Sequence, residues 1–263
     1  MEENIKLIFE KDIEIIPKLI FVIPYRDREI HLDIFKKHMS KIMEDYDEME
    51  YKILYIHQCD KRNFNRGGMK NIGFIFIKEK YPLDYKNITF VFNDIDIMPK
   101  EKNVINYETD INNIKHFYGY NYTLGGIVSI KGSDFEKLNG FPNYWAWGYE
   151  DNAFQQRAIK KNIYIDRSVF FNMYDPEIIH LNETTIRTVN RGEFKKYLSK
   201  TNDGINTITN LKYEYDSNTN FVNVFDFKTP YSPNNTLNRE YDLKKGLSPF
   251  NKRFNSRMKM FID

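Results

Sequence analysis

Cysteine is almost missing from this 263-residue chain, with Cys59 the only one. That excludes an internal disulfide and a cysteine-built zinc site, and it suits a reducing compartment. An excess of one charge is missing too. Lysine and arginine total 39 against 37 aspartates and glutamates, a formal net charge of +2. No global basic field exists to hold a phosphate polymer, so nucleic acid is not an expected partner and any anion site must be local. No run of about 18 apolar residues occurs, so no membrane span is expected. The opening stretch MEENIKLIFEKDIEIIPKLI lacks a basic segment followed by a clean apolar core. No secretory signal is read there, and the expected location is cytoplasmic.

What the chain does have is apolar and aromatic material, 41% and 16% of residues. That is enough to fill a core, and a disordered chain would carry fewer aromatics and more net charge. Lys18 to Tyr25 is a short apolar run, the signature of a buried strand. Arg28 to Met43 repeats Ile30, Ile34, Phe35, Met39, Ile42 and Met43 at helical spacing. Tyr51 to Gln58 is a second strand, FNRGGMKNIGFIFIKEK a turn into a second helix, and NITFVFNDIDIMP a third strand running into acidic residues and a proline. Strand and helix alternating in this way predict an α/β fold with a mostly parallel sheet. Ligands then gather at the carboxyl ends of the strands. Further on, Glu150 to Lys161 reads as an amphipathic helix, SVFFNMY and EIIHL as short strands, and LKYEYDSNTNFVNVFDF as a hairpin before a basic tail.

Several constellations can carry chemistry. Asp94 and Asp96, two apart at the end of a strand, would point the same way and repel unless a hard divalent cation lay between them. The same letters also suit a capped turn. Arg26 and Arg28 could clamp phosphate or ribose, or form surface ion pairs at a helix start. Phe64 could stack on a base and Arg66 meet phosphate at a helix N-terminus, or the two could simply anchor and cap that helix. The segment FPNYWAWGYEDN places two tryptophans and two tyrosines in a short polar loop. That suits a platform for sugar rings, with Glu150 and Asp151 as general-base candidates and Gly148 beside Trp147 allowing hinge motion. The competing reading is an aromatic core plug with an acidic cap. His180 after an apolar run is a metal ligand or a structural histidine.

These pieces, in this order, resemble the β-1,4-galactosyltransferase family (glycosyltransferase family 7), an inverting group with a GT-A fold. The resemblance runs through FVIPYRDREIHL, FNRGGMKNIGF, FVFNDIDIMP, LGGIVSIKGSDFEKLNGFPNYWAWGYEDNAFQQR and IIH, with a fainter echo in NDGINTI. It implies a GT-A-like, Rossmann-like single domain with a mixed, mostly parallel sheet flanked by helices. The expected boundaries are an N-terminal extension over 1–17, the catalytic domain over 18–205, and a C-terminal hairpin and basic tail over 206–263 packed on the same domain. It also implies roles. Pro24, Arg26, Arg28, Phe64, Arg66, Asp94, Thr123, Gly126 and Trp147 would bind the nucleotide sugar. Tyr120, Trp147, Gly148, Glu150 and Asp151 would bind the acceptor, with Asp151 the base. Asp96 and His180 would hold Mn²⁺ or Mg²⁺, joined by Glu177. The implied partners are a UDP-sugar donor and a glycan acceptor.

The chain departs from the family pattern at four points. Glu177 stands where vertebrate members carry a methionine ligand, which favours harder cations. Thr123 stands where galactose-selective members have tyrosine, which leaves room at the C2 substituent of the donor. Asn152 replaces a usual acid, and Tyr149 a glycine or arginine. The membrane anchor and disulfides of the Golgi members are missing. Two other functions fit the same residues. One is a retaining transferase or nucleotide-sugar hydrolase on this fold. The other is a non-catalytic carbohydrate-binding module.

Overall fold

The structure, a computed structural model, describes residues 15–181, 186–198, 202–233 and 235–245. Most of the expected N-terminal extension (1–14) and the end of the basic tail (246–263) lie outside the described residues. The chain opens with β1 (Leu19–Tyr25), α1 (Glu29–Ile42), β2 (Tyr51–Gln58), α2 (Arg66–Lys80) and β3 (Thr89–Asn93). These three strands are parallel neighbours, with β1 in the middle. Every residue of β1 is buried, as a central strand covered on both faces requires. Its period-2 alternation divides the core into two layers. Ile20 and Val22 enter one cluster with Met69, Ile72 and Ile77 of α2, while Leu19, Phe21 and Ile23 enter the other with Phe35, Met39 and Ile42 of α1. Ile30 and Ile34, which share the helical spacing of α1, stay exposed. Asn65 caps α2, its Oδ1 accepting from the Gly68 amide at 2.7 Å. Gly73 lets α2 lie close on the sheet, because a Cβ there would press on Val22 and Ile56.

The third strand is shorter than its sequence pattern predicts. It stops at Asn93, turns through residues 94–96 and resumes as β4 (Ile97–Pro99). Asn93 makes the turn by donating from Nδ2 to the Asp94 and Ile97 carbonyls at 2.7 and 2.8 Å. Asp94 and Asp96 therefore sit in a turn and not side by side on one strand face. A tertiary pairing takes β4 out of the main sheet, onto a later strand over Ile178–His180.

The middle of the chain adds β5 (Asn113–Gly119), β6 (Ile127–Lys131), α3 (Gly132–Lys137), α4 (Glu150–Lys160), β7 (Tyr164–Asp166), β8 (Phe171–Asn172) and β9 (Ile178–His180). Then come β10 (Ile186–Asn190), α5 (Arg191–Leu198), β11 (Thr209–Asp216), β12 (Phe221–Lys228) and β13 (Asn238–Asp242). The main sheet runs β11-β12-β2-β1-β3-β6-β5-β7, with β8 also on β5. Strand β6 is antiparallel to both β3 and β5, so the sheet is mixed and mostly parallel. The hairpin β11–β12 joins this sheet, β12 pairing parallel to β2. Of SVFFNMY only two residues pair as a strand. In α4 the buried face is Phe154 and Ala158, and Ile159 is exposed. Among the described residues no helix is long and apolar enough to cross a membrane.

Candidate active site

The carboxyl ends of β1 and β2 open onto a cavity of about 450 Å³ bordered by Arg26, His57, Gln58, Cys59 and Arg62. Gln58 shapes its rim, donating to Asp60 Oδ1 at 2.8 Å and to the Asn63 carbonyl at 3.0 Å, and accepting from the Asn65 amide. Arg26 donates from Nη1 to the Arg62 carbonyl at 2.6 Å, and its guanidinium lies 5.3 Å from the Phe64 ring centre. Burial pulls its pKa below the usual arginine value. Of the residues expected to meet the nucleotide, Arg26 alone borders this cavity. Pro24 is buried within β1, and half-buried Arg28 caps α1, its carbonyl accepting from the Leu32 amide at 2.8 Å.

Beside the end of β3 lies a charge cluster in which Lys70 and Glu150 are buried and Arg66, Asp94 and Asp151 are half-buried. Helix α2 contributes Arg66 and Lys70, one turn apart on the same face. The β3–β4 turn contributes Asp94, and the first turn of α4 contributes Glu150 and Asp151. Lys70 Nζ is 3.4 Å from Asp151 Oδ1 and 3.7 Å from Asp94 Oδ1. Arg66 is 3.6 Å from Asp94 and 3.4 Å from Glu150. Lys70 is 1% exposed. Burial works against a lone charge here, so the opposite charges must compensate one another. Burial pushes Asp94 up, but Lys70 and Arg66 outweigh it and hold the carboxyl below the usual aspartate value. Asp151 goes the other way. Burial, reinforced by Glu150 and Asp94, lifts it to about 7 against the pull of Lys70 and Arg66. Arg66 and Lys70 are both held above their usual values by the surrounding acids, despite their burial. Asp94 Oδ1 and Glu150 Oε2 are buried without a hydrogen-bond partner among the described residues.

The backbone between β5 and β6 joins the two halves of this cluster. The Gly126 carbonyl accepts from the Asp94 amide at 3.2 Å, and the Leu124 amide donates to the Asp151 carbonyl at 3.2 Å. Gly125 lies directly under Asp151, where a Cβ would overlap the carboxylate. Gly126 has φ +76°, and a side chain there would strike the Tyr118 carbonyl. The chain enters α4 through two left-handed residues, Gly148 (φ +97°) and Tyr149 (φ +81°). A tyrosine in that region costs about 1–3 kcal/mol. Its ring packs edge-on to Phe194 at 4.7 Å between centroids.

Asp96 and His180 are neighbours across the β4–β9 ladder. His180 faces Ile97, and the Leu181 amide donates to the Asp96 carbonyl at 2.7 Å. His180 Nδ1 is buried and has no hydrogen-bond partner. An imidazole nitrogen with no hydrogen-bond partner, on the strand that pairs beside Asp96, is the chemistry that a divalent cation of the Mn²⁺ type takes together with a carboxylate. The expected third ligand does not join them. Glu177 is exposed at the other end of the ladder, its carbonyl paired with the Lys100 amide, about 10 Å along the chain from His180. Among the described residues, no three His, Cys, Asp or Glu side chains come together as a metal site.

The aromatic loop divides its work. Trp145 is the core plug. It stacks on Phe227 at 5.1 Å, and its Nε1 donates to Thr229 Oγ1 and the Tyr231 carbonyl at 2.9 and 2.8 Å. Tyr144 is buried too and donates to the Asn190 carbonyl. Trp147 stays half-buried, its amide tied to the Thr188 carbonyl of β10 at 2.9 Å. Exposed Tyr120 stacks on Tyr122 at 5.3 Å, and Asn152 Nδ2 donates to the Tyr122 carbonyl at 3.4 Å. Thr123 is buried, its carbonyl held by Arg167 at 3.2 Å. Of the two tryptophans, Trp145 belongs to the core and only Trp147 keeps exposed surface.

Sequence reasoning misses Lys70 and Gly125, and it misses the polar frame under the aromatic loop. Asn71 donates to the Phe141 carbonyl and to Asn143 Oδ1 at 2.8 and 2.9 Å, and Asp203 accepts from the Asn143 amide and side chain at 2.8 Å. The available signals are modest. Lys70 is four residues from Arg66 on an otherwise apolar helix face, and Asp203 lies in the NDGINTI echo.

The mixed, mostly parallel sheet with helices on both faces is a GT-A fold. The catalytic domain of Drosophila β1,4-galactosyltransferase 7, solved with xylobiose, superposes with a TM-score of 0.62 at 20% identity, covering 82% of this chain and 96% of that one. A mutant of that enzyme solved with manganese, UDP-Gal and xylobiose gives the same TM-score at 19% identity. Two adjoining family models match, described as the N-terminal region of glycosyl transferase group 7 over residues 10–109 and the N-terminal domain of galactosyltransferase over 107–180. The chain belongs to glycosyltransferase family 7, the β-1,4-galactosyltransferase family. It is 35% identical over 159 residues to the xylosylprotein 4-beta-galactosyltransferase of Caenorhabditis elegans, covering 57% of this chain and 53% of that protein. Against human beta-1,4-galactosyltransferase 4 it is 27% identical over 159 residues, covering 57% and 45%. The chain thus spans about half the length of the curated relatives it matches.

Proposed function

We propose that this protein transfers a hexose, galactose or N-acetylgalactosamine, from a UDP-sugar to a hydroxyl of a glycan acceptor with inversion. One observation carries the reading. Asp151, at the start of α4, has its carboxyl raised to about 7 by burial in a cleft shared with Asp94. A base tuned near neutrality is what proton removal from a sugar hydroxyl needs. The acceptor oxygen attacks the anomeric carbon as its proton passes to Asp151. The bond from that carbon to the diphosphate oxygen breaks, and UDP departs with the electron pair. This single displacement from the opposite face turns an α-linked donor into a β-linked product.

Asp96 and His180 would hold a divalent cation, Mn²⁺ by the chemistry of the pair, with Mg²⁺ the harder alternative. That ion would supply positive charge against the diphosphate leaving group. Arg26, Phe64 and Arg66 are suited to the nucleotide, and Glu150 orders Arg66. Trp147, Tyr120 and Gly148 would meet the acceptor, the aromatic faces packing on sugar C–H groups. Buried Thr123, smaller than tyrosine, supports a donor site that admits an N-acetyl group. The relatives named as galactosyltransferases, one of them solved with UDP-Gal, support galactose as one donor.

The test is UDP release from a panel of UDP-sugars, with and without glycan acceptors and Mn²⁺, followed by NMR of the product. A β-linked product supports the reading. An α-linked product, free sugar alone, or binding without turnover would each overturn it.

A further inference from the structure

A lysine is the least expected residue at position 70. It lies in α2 between Met69 and Ile72, both fully buried, with its own side chain 1% exposed. An ammonium in such a place is strongly destabilising unless ion pairs compensate it. The compensation comes from two different elements, Asp94 in the β3–β4 turn at 3.7 Å and Asp151 at the head of α4 at 3.4 Å. The ammonium also lies 4.6 Å from the Phe141 ring centre, which bounds it from the side of the aromatic loop. Arg66, one turn earlier, reaches Asp94 and Glu150 but makes no ion pair with Asp151 in this arrangement. Lys70 is thus the cation in contact with the carboxylate read as the base.

We propose that Lys70 is a positioning residue that keeps Asp151 ionised and aimed into the cleft, and locks it to the turn carrying Asp94. The inference rests on the reading of Asp151 as the base. Among the described residues, the charged groups that act most strongly on that carboxylate belong to the same cluster: Lys70 and Arg66 from α2, Asp94 from the turn, and Glu150 from α4 itself. Two of these are acids that oppose its ionisation, and burial opposes it further. The nearer of the two cations is the one whose removal leaves the acids unbalanced. Lys70 does not need to touch a substrate to act in this way.

The experiment compares wild type with Lys70→Met, Lys70→Arg and Asp151→Asn, reading kcat and KM for the donor from pH 5.5 to 9.5 alongside melting temperature. In Lys70→Met the rising limb of kcat against pH is expected to move at least one pH unit to the alkaline side. Turnover at pH 7 would then fall about tenfold or more and recover toward pH 9, with donor KM changing less than threefold. Lys70→Arg is expected to keep the limb near its wild-type position. A purely structural ion would lower activity at every pH alike. A Lys70→Met protein that folds and keeps the wild-type limb overturns the role, and so does loss of folding in Lys70→Met at every pH tested. If Lys70→Met leaves the limb in place while Asp151→Asn is inactive, the positioning role fails and the base assignment stands. If Asp151→Asn turns over normally, the base assignment fails first and takes the inference with it.

Discussion

Replacing Asp151 with asparagine is expected to remove transfer while making the folded protein more stable at neutral pH. An aspartate raised from 3.8 to about 7 binds its proton more tightly in the native state than in the unfolded chain. Its contribution to stability is therefore fully present below about pH 4 and is lost as the pH rises through 7. By the 1.36 kcal/mol that attaches to each pH unit, the full loss is about 4 kcal/mol. Asparagine also gives up the Lys70 ion pair, which offsets part of this. The net gain for Asp151→Asn at pH 8 is then about 1–2 kcal/mol. For a chain of this size that corresponds to roughly 2–8 °C in melting temperature. The assay is a series of thermal melts of both proteins from pH 4.5 to 8.5, with UDP-sugar binding and turnover measured on the same samples. The melting-temperature gap should open between about pH 4 and 7 and then level off. Donor affinity should change little and turnover should fall by at least about a thousandfold. A gap independent of pH, or an Asp151→Asn protein within tenfold of wild-type turnover, would refute the reasoning.

Four other outcomes follow from the geometry. Wild-type turnover should rise as the pH passes about 7, because Asp151 accepts a proton only when ionised, and a flat profile from pH 5.5 to 8 in steady-state assays would count against it. Chelation should abolish transfer and Mn²⁺ should restore it. His180→Ala should raise the half-activating Mn²⁺ concentration at least about tenfold, whereas Glu177→Gln, at the far end of its ladder, should change it little in a metal titration. Thr123→Tyr should narrow the donor range by excluding UDP-GalNAc more than UDP-Gal in a competition assay. Trp145→Ala should cost about 3–5 kcal/mol in denaturant unfolding, as expected for a stacked core tryptophan, whereas Trp147→Ala should mainly raise acceptor KM.

The order of motifs along the chain is enough to place it in a family and to predict a mixed, mostly parallel sheet. Apolar strands, capped helices and a strand-end acid pair are local patterns, and local patterns survive in a one-dimensional reading. β2 runs over the residues its pattern predicts, Tyr51–Gln58, and α2 begins at Arg66, in the segment read as a turn into a helix. Ile30 and Ile34 mark the limit of periodicity, which says that a helix has an apolar side but not how much of it the sheet will cover. The tertiary structure alone decides what depends on contacts between distant segments. It ends β3 at Asn93, sends β4 to pair with β9, and so brings Asp96 beside His180 while leaving Glu177 at the other end. It divides the aromatic loop into a buried Trp145 and a half-buried Trp147 through contacts some forty to ninety residues away. It also sets Lys70 of α2 against acids from two later segments. Sequence lists which charged residues exist. Only folding decides which of them lose their water together, and that desolvation is what moves Asp151 to about 7.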